Sequence, residues 1–169
     1  VDRKPLIRLQ LDMSAAGRLG LVTPLLTVLA SPVHADIPVV DLDGVVHAVT
    51  AGHVVRAIDR ADAERAPLLV LRLDTPGGLD TSMRQIVDKM LNCRTPIVAF
   101  VGPSGARAAS AGFVILLAAD VAAMAPGTNI GAAHPVSGLG GQMDEVMSKK
   151  ITSDAAAYIR SKAERRGRN

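Results

Sequence analysis

The sequence predicts an α/β protein, because apolar runs typical of buried strands alternate with segments of helical periodicity. Residues 68–73 and 97–101 are the two clearest strands, and turn residues follow each of them. The chain has 169 residues, of which 49% are hydrophobic and 21% are charged, as is usual for a globular protein of this length. We therefore expect a single α/β domain built around these strands.

The first 35 residues have the features of an export signal. Positive charges precede a short apolar stretch at 19–30, and Val33-His34-Ala35 offers small residues at the two key positions of a cleavage site. The stretch is shorter than the roughly 20 apolar residues that a membrane span needs. We predict a signal peptide at 1–35 and a mature domain at 36–169 that is exported to the periplasm or another extracytoplasmic face of the membrane. A disordered leader is the alternative.

The other elements follow in order along the chain. Apolar side chains recur at helical spacing within 50–66, and again after Thr81, which predicts a helix in each place. The first half of the chain is predicted to contain a strand or hairpin at 37–46, a helix at 50–66, a strand at 68–73 and a helix from Thr81. A strand at 97–101 follows, and then a buried helix after Ser110 that passes into a short strand ending by 123. The last part has a break at 126–129, a loop at 138–149 and a final helix capped by Asp154.

The composition argues against several classes of function. The net charge of the chain is only +3. Aromatic residues make up 2% of the chain, so the basic residues near the C-terminus have almost no aromatic neighbours on which nucleobases could stack. Nucleic acid is therefore not an expected partner. Cys93 is the single cysteine, which excludes an internal disulfide. The spacing of His, Cys, Asp and Glu matches no metal site, so we expect neither a metal nor a cofactor.

Two turns rich in small residues follow the two clearest strands. The first is LDTPGG at 73–78, and the second is AASAG at 108–112. Glycines lack the Cβ that would keep a ligand oxygen away from backbone N–H groups. A serine among small residues suits a sharp strand-to-helix turn that exposes its hydroxyl. Together the turns predict an oxyanion hole beside a nucleophile, and hence a serine hydrolase, although each alone also suits a structural turn or, at Ser110, a helix cap.

Four segments of the chain resemble the Clp-class serine proteases of the NfeD type, which are membrane-associated relatives of signal peptide peptidase A. These segments are residues 73–79, 102–112, 124–136 and 154–161, and the resemblance extends from about Ile37 to Asn169. It implies the Clp/crotonase fold, a spiral of ββα units, here truncated at its C-terminal end. It also implies a homo-oligomer that hydrolyses extended apolar peptides, which in some members come from stomatin-like membrane proteins.

The resemblance further implies a Ser–Lys dyad, with Ser110 as the nucleophile and Lys150 as the base. Lys150 stands directly before Ile151 and the final helix, as the family's catalytic lysine does, and the neighbouring Lys149 leaves the register open by one residue. A lysine must lose its proton to act as a base, which requires desolvation. His134, in the loop after the second motif, is the alternative base.

The oxyanion would be held by backbone N–H groups of Gly77 and Gly78, with Ala111 as a further donor.

Two other classes of function stay open. A crotonase-type acyl-CoA enzyme would share the fold and the oxyanion loops, but it would need neither Ser110 nor Lys150. A non-catalytic assembly module of a membrane complex is the second alternative, because the family continues beyond the last residue of this chain. For the same reason we expect the chain to expose apolar surface and to be weakly active or inactive by itself.

Overall fold

The computed structural model of this chain describes residues 36–133 and 144–168. The predicted signal peptide at 1–35 lies outside the described residues. The strands are β1 (Val39–Asp43), β2 (Leu69–Asp74), β3 (Ile97–Val101), β4 (Arg107–Ala109), β5 (Val121–Met124) and β6 (Asn129–Gly131). The helices are α1 (Ala48–Glu64), α2 (Asp80–Asn92), α3 (Ala111–Ala118) and α4 (Glu145–Arg165).

The main sheet is parallel, with the strand order β1-β2-β3-β5, and β4 pairs with β6 in a separate two-stranded parallel sheet. Parallel neighbours need crossover connections, and right-handed crossovers that all advance in one direction put their helices on one face of the sheet. The strands of the main sheet also end together at one edge, which we call the carboxyl edge. The predicted α/β class is confirmed, and the loops after β2 and β3 both begin at this edge.

The core lies between the main sheet and its helices, because each element presents one apolar face. Buried and exposed residues alternate along β1, whereas α1 buries residues at helical spacing. Burying one such aliphatic side chain stabilises the fold by about 1.5–3 kcal/mol. The largest side chains that are fully buried are Leu42, Ile58, Leu69, Leu71, Leu73, Ile86, Met90, Ile97 and Ile115.

The last helix begins earlier than the sequence predicts. Residues 145–149 were expected to be loop and Asp154 to be the cap, but α4 begins at Glu145 and Asp154 lies within it. The segment 142–166 contains neither glycine nor proline, so nothing stops the helix from extending towards the N-terminus. Lys149 pairs with Glu145 one turn earlier at 3.0 Å, which supports the extension.

Helix α4 runs in the same direction as α2. Near the start of α2, Arg84 donates to the Asp154 carboxylate at 2.9 Å, and near its end Arg165 donates to the Leu91 carbonyl at 2.9 Å. Because α2 starts at the carboxyl edge of the sheet, the first turns of α4 lie towards that edge as well. None of the helices within 36–133 and 144–168 combines the length and apolarity needed to span a membrane.

Tyr158 fixes the middle of α4 to α2. Its ring lies 4.1 Å from the Arg84 guanidinium and 4.5 Å from the Lys162 ammonium, distances that allow cation–π attraction. Its hydroxyl is buried and has no hydrogen-bond partner among the described residues. Burial, reinforced by the negative charge of Asp88, raises the pKa of Tyr158 to about 12.

We predict that the stability of the fold decreases between about pH 10 and pH 12 because of Tyr158. An unfolded tyrosine ionises near pH 10, whereas the folded chain keeps this one protonated up to about pH 12, so ionisation favours unfolding over that range. Tyr158 is the only tyrosine and the chain has no tryptophan, so its ultraviolet absorbance reports the titration directly. The loss of stability should be smaller in Tyr158→Phe, and equal losses in both proteins would contradict the prediction.

Candidate active site

The glycine loop after β2 is fastened to the segment that follows β1. The Val46 N–H donates to the Gly77 carbonyl, and the Leu79 N–H donates to the Val46 carbonyl, each at 2.8 Å. A Cβ on Gly78 would lie 2.1 Å from the Val46 carbonyl oxygen, so a side chain at that position would collide with the backbone. Gly78 is therefore required by this close approach of two backbone segments.

The N–H groups of Gly77 and Gly78, two of the predicted oxyanion donors, differ in their hydrogen-bond partners. The Gly77 N–H donates to the Thr75 hydroxyl oxygen at 3.1 Å. The Gly78 N–H has no hydrogen-bond acceptor within residues 36–133 and 144–168. Of the two glycines, only Gly78 thus has an N–H group that the described protein leaves available to a ligand.

Ser110 occupies a strained turn between β4 and α3. Its φ of 51° and ψ of −115° lie outside the regions that side chains other than glycine favour, and such positions typically cost about 1–3 kcal/mol. Its N–H donates to the Gly131 carbonyl at 2.7 Å, which holds the turn against β6. Ser110 is the N-cap residue of α3, but its side chain makes no capping hydrogen bond. The hydroxyl therefore has no structural task at this helix end.

The structure brings Ser110 and the glycine loop together. A Cβ on Gly77, which has a φ of 112°, would lie 2.6 Å from the Ser110 Cβ and 3.1 Å from its Oγ. The next residue, Ala111, is the first of α3, and its N–H has no acceptor among the described residues. The partly buried side chain of Ser110 thus lies against the glycine loop. The glycine loop and the start of α3 each carry an N–H group, at Gly78 and Ala111, that has no acceptor among the described residues. This arrangement suits stabilisation of a tetrahedral oxyanion.

Of the two candidate bases, Lys150 and His134, only Lys150 lies within the described residues. Lys150 lies in the second turn of α4, towards the carboxyl edge of the sheet, and its side chain is exposed. Lys149 is also exposed, but its ammonium is paired with Glu145. His134 lies outside the described residues.

Two residues that hold the site were missed in the sequence. Thr75 was read only as part of the glycine turn, although it is fully buried and bonds to that turn. Gly131, whose carbonyl accepts from Ser110, was not singled out at all. The position of Thr75 between a buried strand and a glycine pair could have indicated its role. The role of Gly131 could not be predicted, because a backbone carbonyl leaves no signal in the sequence.

The family model described as NfeD1b, N-terminal domain, matches residues 36–169. This chain belongs to that family. The predicted resemblance to NfeD-type proteins is therefore confirmed.

Two curated relatives are longer than this chain. The membrane-bound protease PH1510 of Pyrococcus horikoshii is 38% identical over 156 residues, which are 90% of this chain and 35% of that protein. The membrane protein NfeD1b of Bacillus subtilis is 37% identical over 95 residues, 56% of this chain and 21% of that protein. The chain thus spans about a third of the length of PH1510 and about a fifth of NfeD1b.

Solved structures of a similar protein share the fold. One is the 1510-N membrane-bound stomatin-specific protease, in a lysine-to-alanine variant bound to a substrate peptide, with a TM-score of 0.70 at 35% identity. Another is a serine-to-alanine variant of 1510-N, with a TM-score of 0.71 at 36% identity. The alignments cover 79% of this chain and 61% and 65% of those chains. They support the mixed α/β fold with a parallel sheet.

Proposed function

We propose that this chain is the catalytic domain of a serine peptidase that cleaves peptide bonds through an acyl-enzyme on Ser110. The observation that carries the proposal is the contact of the strained Ser110 with Gly77, beside the available N–H groups of Gly78 and Ala111. A nucleophile next to preorganised oxyanion donors is the arrangement that acyl transfer requires. Protease relatives of known structure, one with a bound substrate peptide, support the same reaction class.

In the proposed reaction, the Ser110 Oγ attacks the carbonyl carbon of the scissile bond, and its proton passes to Lys150. Collapse of the tetrahedral intermediate breaks the C–N bond, and Lys150 returns the proton to the leaving amine. Water then hydrolyses the ester on Ser110. Gly78 and Ala111 hold the oxyanion, and each such donor typically lowers the barrier by about 2.7–4 kcal/mol. Gly77 instead leaves the space in which the serine side chain sits.

The proposal of Lys150 as the base comes from the family resemblance, and the direction of α4 and the pairing of its neighbour support it. The first turns of α4 lie towards the same edge of the sheet as Ser110, whereas the Lys149 ammonium is engaged by Glu145. Since the Lys150 side chain is exposed, we propose that the bound substrate supplies the desolvation that favours a neutral amine. His134 is the alternative base.

The proposed substrate is an extended peptide with apolar side chains. Val45, Val49 and Leu79 are all exposed, and they flank the pairing of Val46 with the glycine loop. Apolar substrate side chains would bury this surface, while the substrate backbone adds a strand beside Gly78. A stomatin-like membrane protein is the proposed natural source, since the related 1510-N is a stomatin-specific protease.

The setting of the enzyme is also part of the proposal. We infer an exported domain at 36–169 that acts as a homo-oligomer at the extracytoplasmic face of a membrane. Its α/β fold would be the first part of a Clp/crotonase-like spiral of ββα units. The membrane relatives, which are longer than this chain, support the association with a membrane.

The decisive test is covalent labelling of Ser110 with a fluorophosphonate. The Ser110 Oγ should displace fluoride from phosphorus, and mass spectrometry should locate the phosphonate on the peptide that contains Ser110. Apolar peptides should protect the serine from labelling. A chain that resists the probe but converts acyl-CoA thioesters would instead be a crotonase-type enzyme. A chain that does neither, also when it is tested within a longer protein of its relatives' length, would be an assembly module.

A further inference from the structure

Thr75, in the loop that follows β2, links this glycine loop to the turn that carries Ser110. It follows the last residue of β2 and is one of the few fully buried polar residues. Its hydroxyl oxygen accepts from the Gly77 N–H at 3.1 Å and lies 3.4 Å from the Gly77 carbonyl oxygen. The side chain therefore fixes the peptide units that lead to Gly78.

The backbone of Thr75 bonds to the strand that carries the nucleophile. The Thr75 N–H donates to the Arg107 carbonyl at 2.7 Å, and the Ala109 N–H donates to the Thr75 carbonyl at 3.0 Å. Ala109 directly precedes Ser110. One residue thus contacts both the oxyanion loop, through its side chain, and the nucleophile turn, through its main chain.

The methyl group of Thr75 makes a third contact, with the helix behind Ser110. A Cβ on Gly112 would lie 2.4 Å from the Thr75 Cγ2, whereas the next neighbour, the Ala108 Cβ, would be 3.5 Å away. Gly112 therefore lets the first turn of α3 approach the Thr75 methyl directly. The Thr75 hydroxyl thus positions the glycine loop, and the Thr75 methyl positions the start of α3.

We propose that Thr75 is a positioning residue that sets the distance between the Gly78 N–H and the Ser110 hydroxyl. The inference rests on the proposed peptidase function. Misplacement of a reacting or stabilising group by about 1 Å can cost on the order of 10²-fold in rate. A threonine satisfies both needs of this position, because it carries a hydroxyl and a methyl group on one Cβ.

The first test is a matched pair of variants in the full 169-residue chain. Thr75→Val keeps the shape but removes the acceptor of the Gly77 N–H, whereas Thr75→Ser keeps the acceptor. We expect kcat to fall about 10²-fold in Thr75→Val with little change in KM, because oxyanion stabilisation acts on the transition state. Thr75→Ser lacks only the methyl, so it should lose much less activity than Thr75→Val. Equal activity of both variants, or a change confined to KM, would overturn the inference.

The second test uses the methyl contact and does not require activity. Gly112→Ala should lower the midpoint of thermal unfolding, because its new methyl group collides with Thr75 Cγ2. Thr75→Ser removes that group, so the double variant Gly112→Ala/Thr75→Ser should regain most of the lost stability. Thr75→Val retains the methyl and should give no rescue. Rescue by both substitutions, or by neither, would contradict the proposed contact.

Hydrogen exchange separates failure of the inference from failure of the proposed function. The Gly77 amide should exchange faster in Thr75→Val than in Thr75→Ser, since only the serine can accept its hydrogen bond. A wild-type chain that neither cleaves peptides nor reacts with fluorophosphonate would overturn the proposed function and the catalytic purpose of Thr75 with it. Unchanged exchange at Gly77 in an active enzyme would overturn the positioning role alone.

Discussion

Replacement of Ser110 by alanine is expected to abolish peptide hydrolysis and fluorophosphonate labelling while the chain stays folded. Loss of a serine nucleophile can lower kcat on the order of 10⁶-fold, because no other group can form the acyl-enzyme. The fold should tolerate the change, since the Ser110 side chain makes no capping bond and the turn is held by its backbone N–H to Gly131. Peptide turnover and circular dichroism measure the two effects separately.

Ser104→Ala is the matched control. Ser104 lies in the loop between β3 and β4, six residues before Ser110, and its hydroxyl donates to the Pro126 carbonyl at 2.7 Å. Its hydroxyl is thus already engaged in a structural contact, so the variant should keep its activity. Loss of activity in Ser104→Ala together with full activity in Ser110→Ala would reject the proposed nucleophile.

The parts of the fold that local patterns determine were predictable. β2 and β3 appear as apolar runs, and α1 and α2 show helical spacing, so the sequence and the structure differ only by a few residues at their ends. β4 and β6 were not predicted, because each has three residues and pairs only after the chain has folded back. The first turn of α4 was missed because its two apolar residues, Val146 and Met147, are exposed and adjacent in sequence, and thus show no helical spacing.

For the candidate site, too, some features could be predicted from the sequence and others could not. The sequence predicted the proximity of Gly77 and Ser110 from their positions after two apolar strands. In the structure, however, Ser110 directly follows β4, which lies in the separate two-stranded sheet and is joined to Thr75 by backbone hydrogen bonds. The engagement of the Gly77 N–H by Thr75 was not predictable, because it depends on the exact path of the loop. The link from Thr75 to Arg107 and Ala109 joins residues more than thirty positions apart, so no local pattern indicates it.

Replacement of Lys150 by alanine is expected to lower kcat by at least about 10²-fold, which is the lower end for removal of a general base. The Ser110 hydroxyl is a weak nucleophile unless a neighbouring group accepts its proton. The fold should be unaffected, because the Lys150 side chain is exposed and makes no ion pair with any described residue. Steady-state hydrolysis of an apolar peptide by the wild type and the variant measures the loss.

Lys149→Ala and His134→Ala are the controls, and both should lose much less activity than Lys150→Ala. Lys149 tests the register, since its ammonium is held by Glu145 at 3.0 Å. The pH profile distinguishes the two candidate bases. With a lysine base, activity should continue to rise with pH as the fraction of neutral amine grows, whereas a histidine base would bring activity to a plateau above its ordinary pKa of about 6.5. A plateau near neutral pH, with His134→Ala as the most damaged variant, would replace the Ser–Lys dyad by a Ser–His pair.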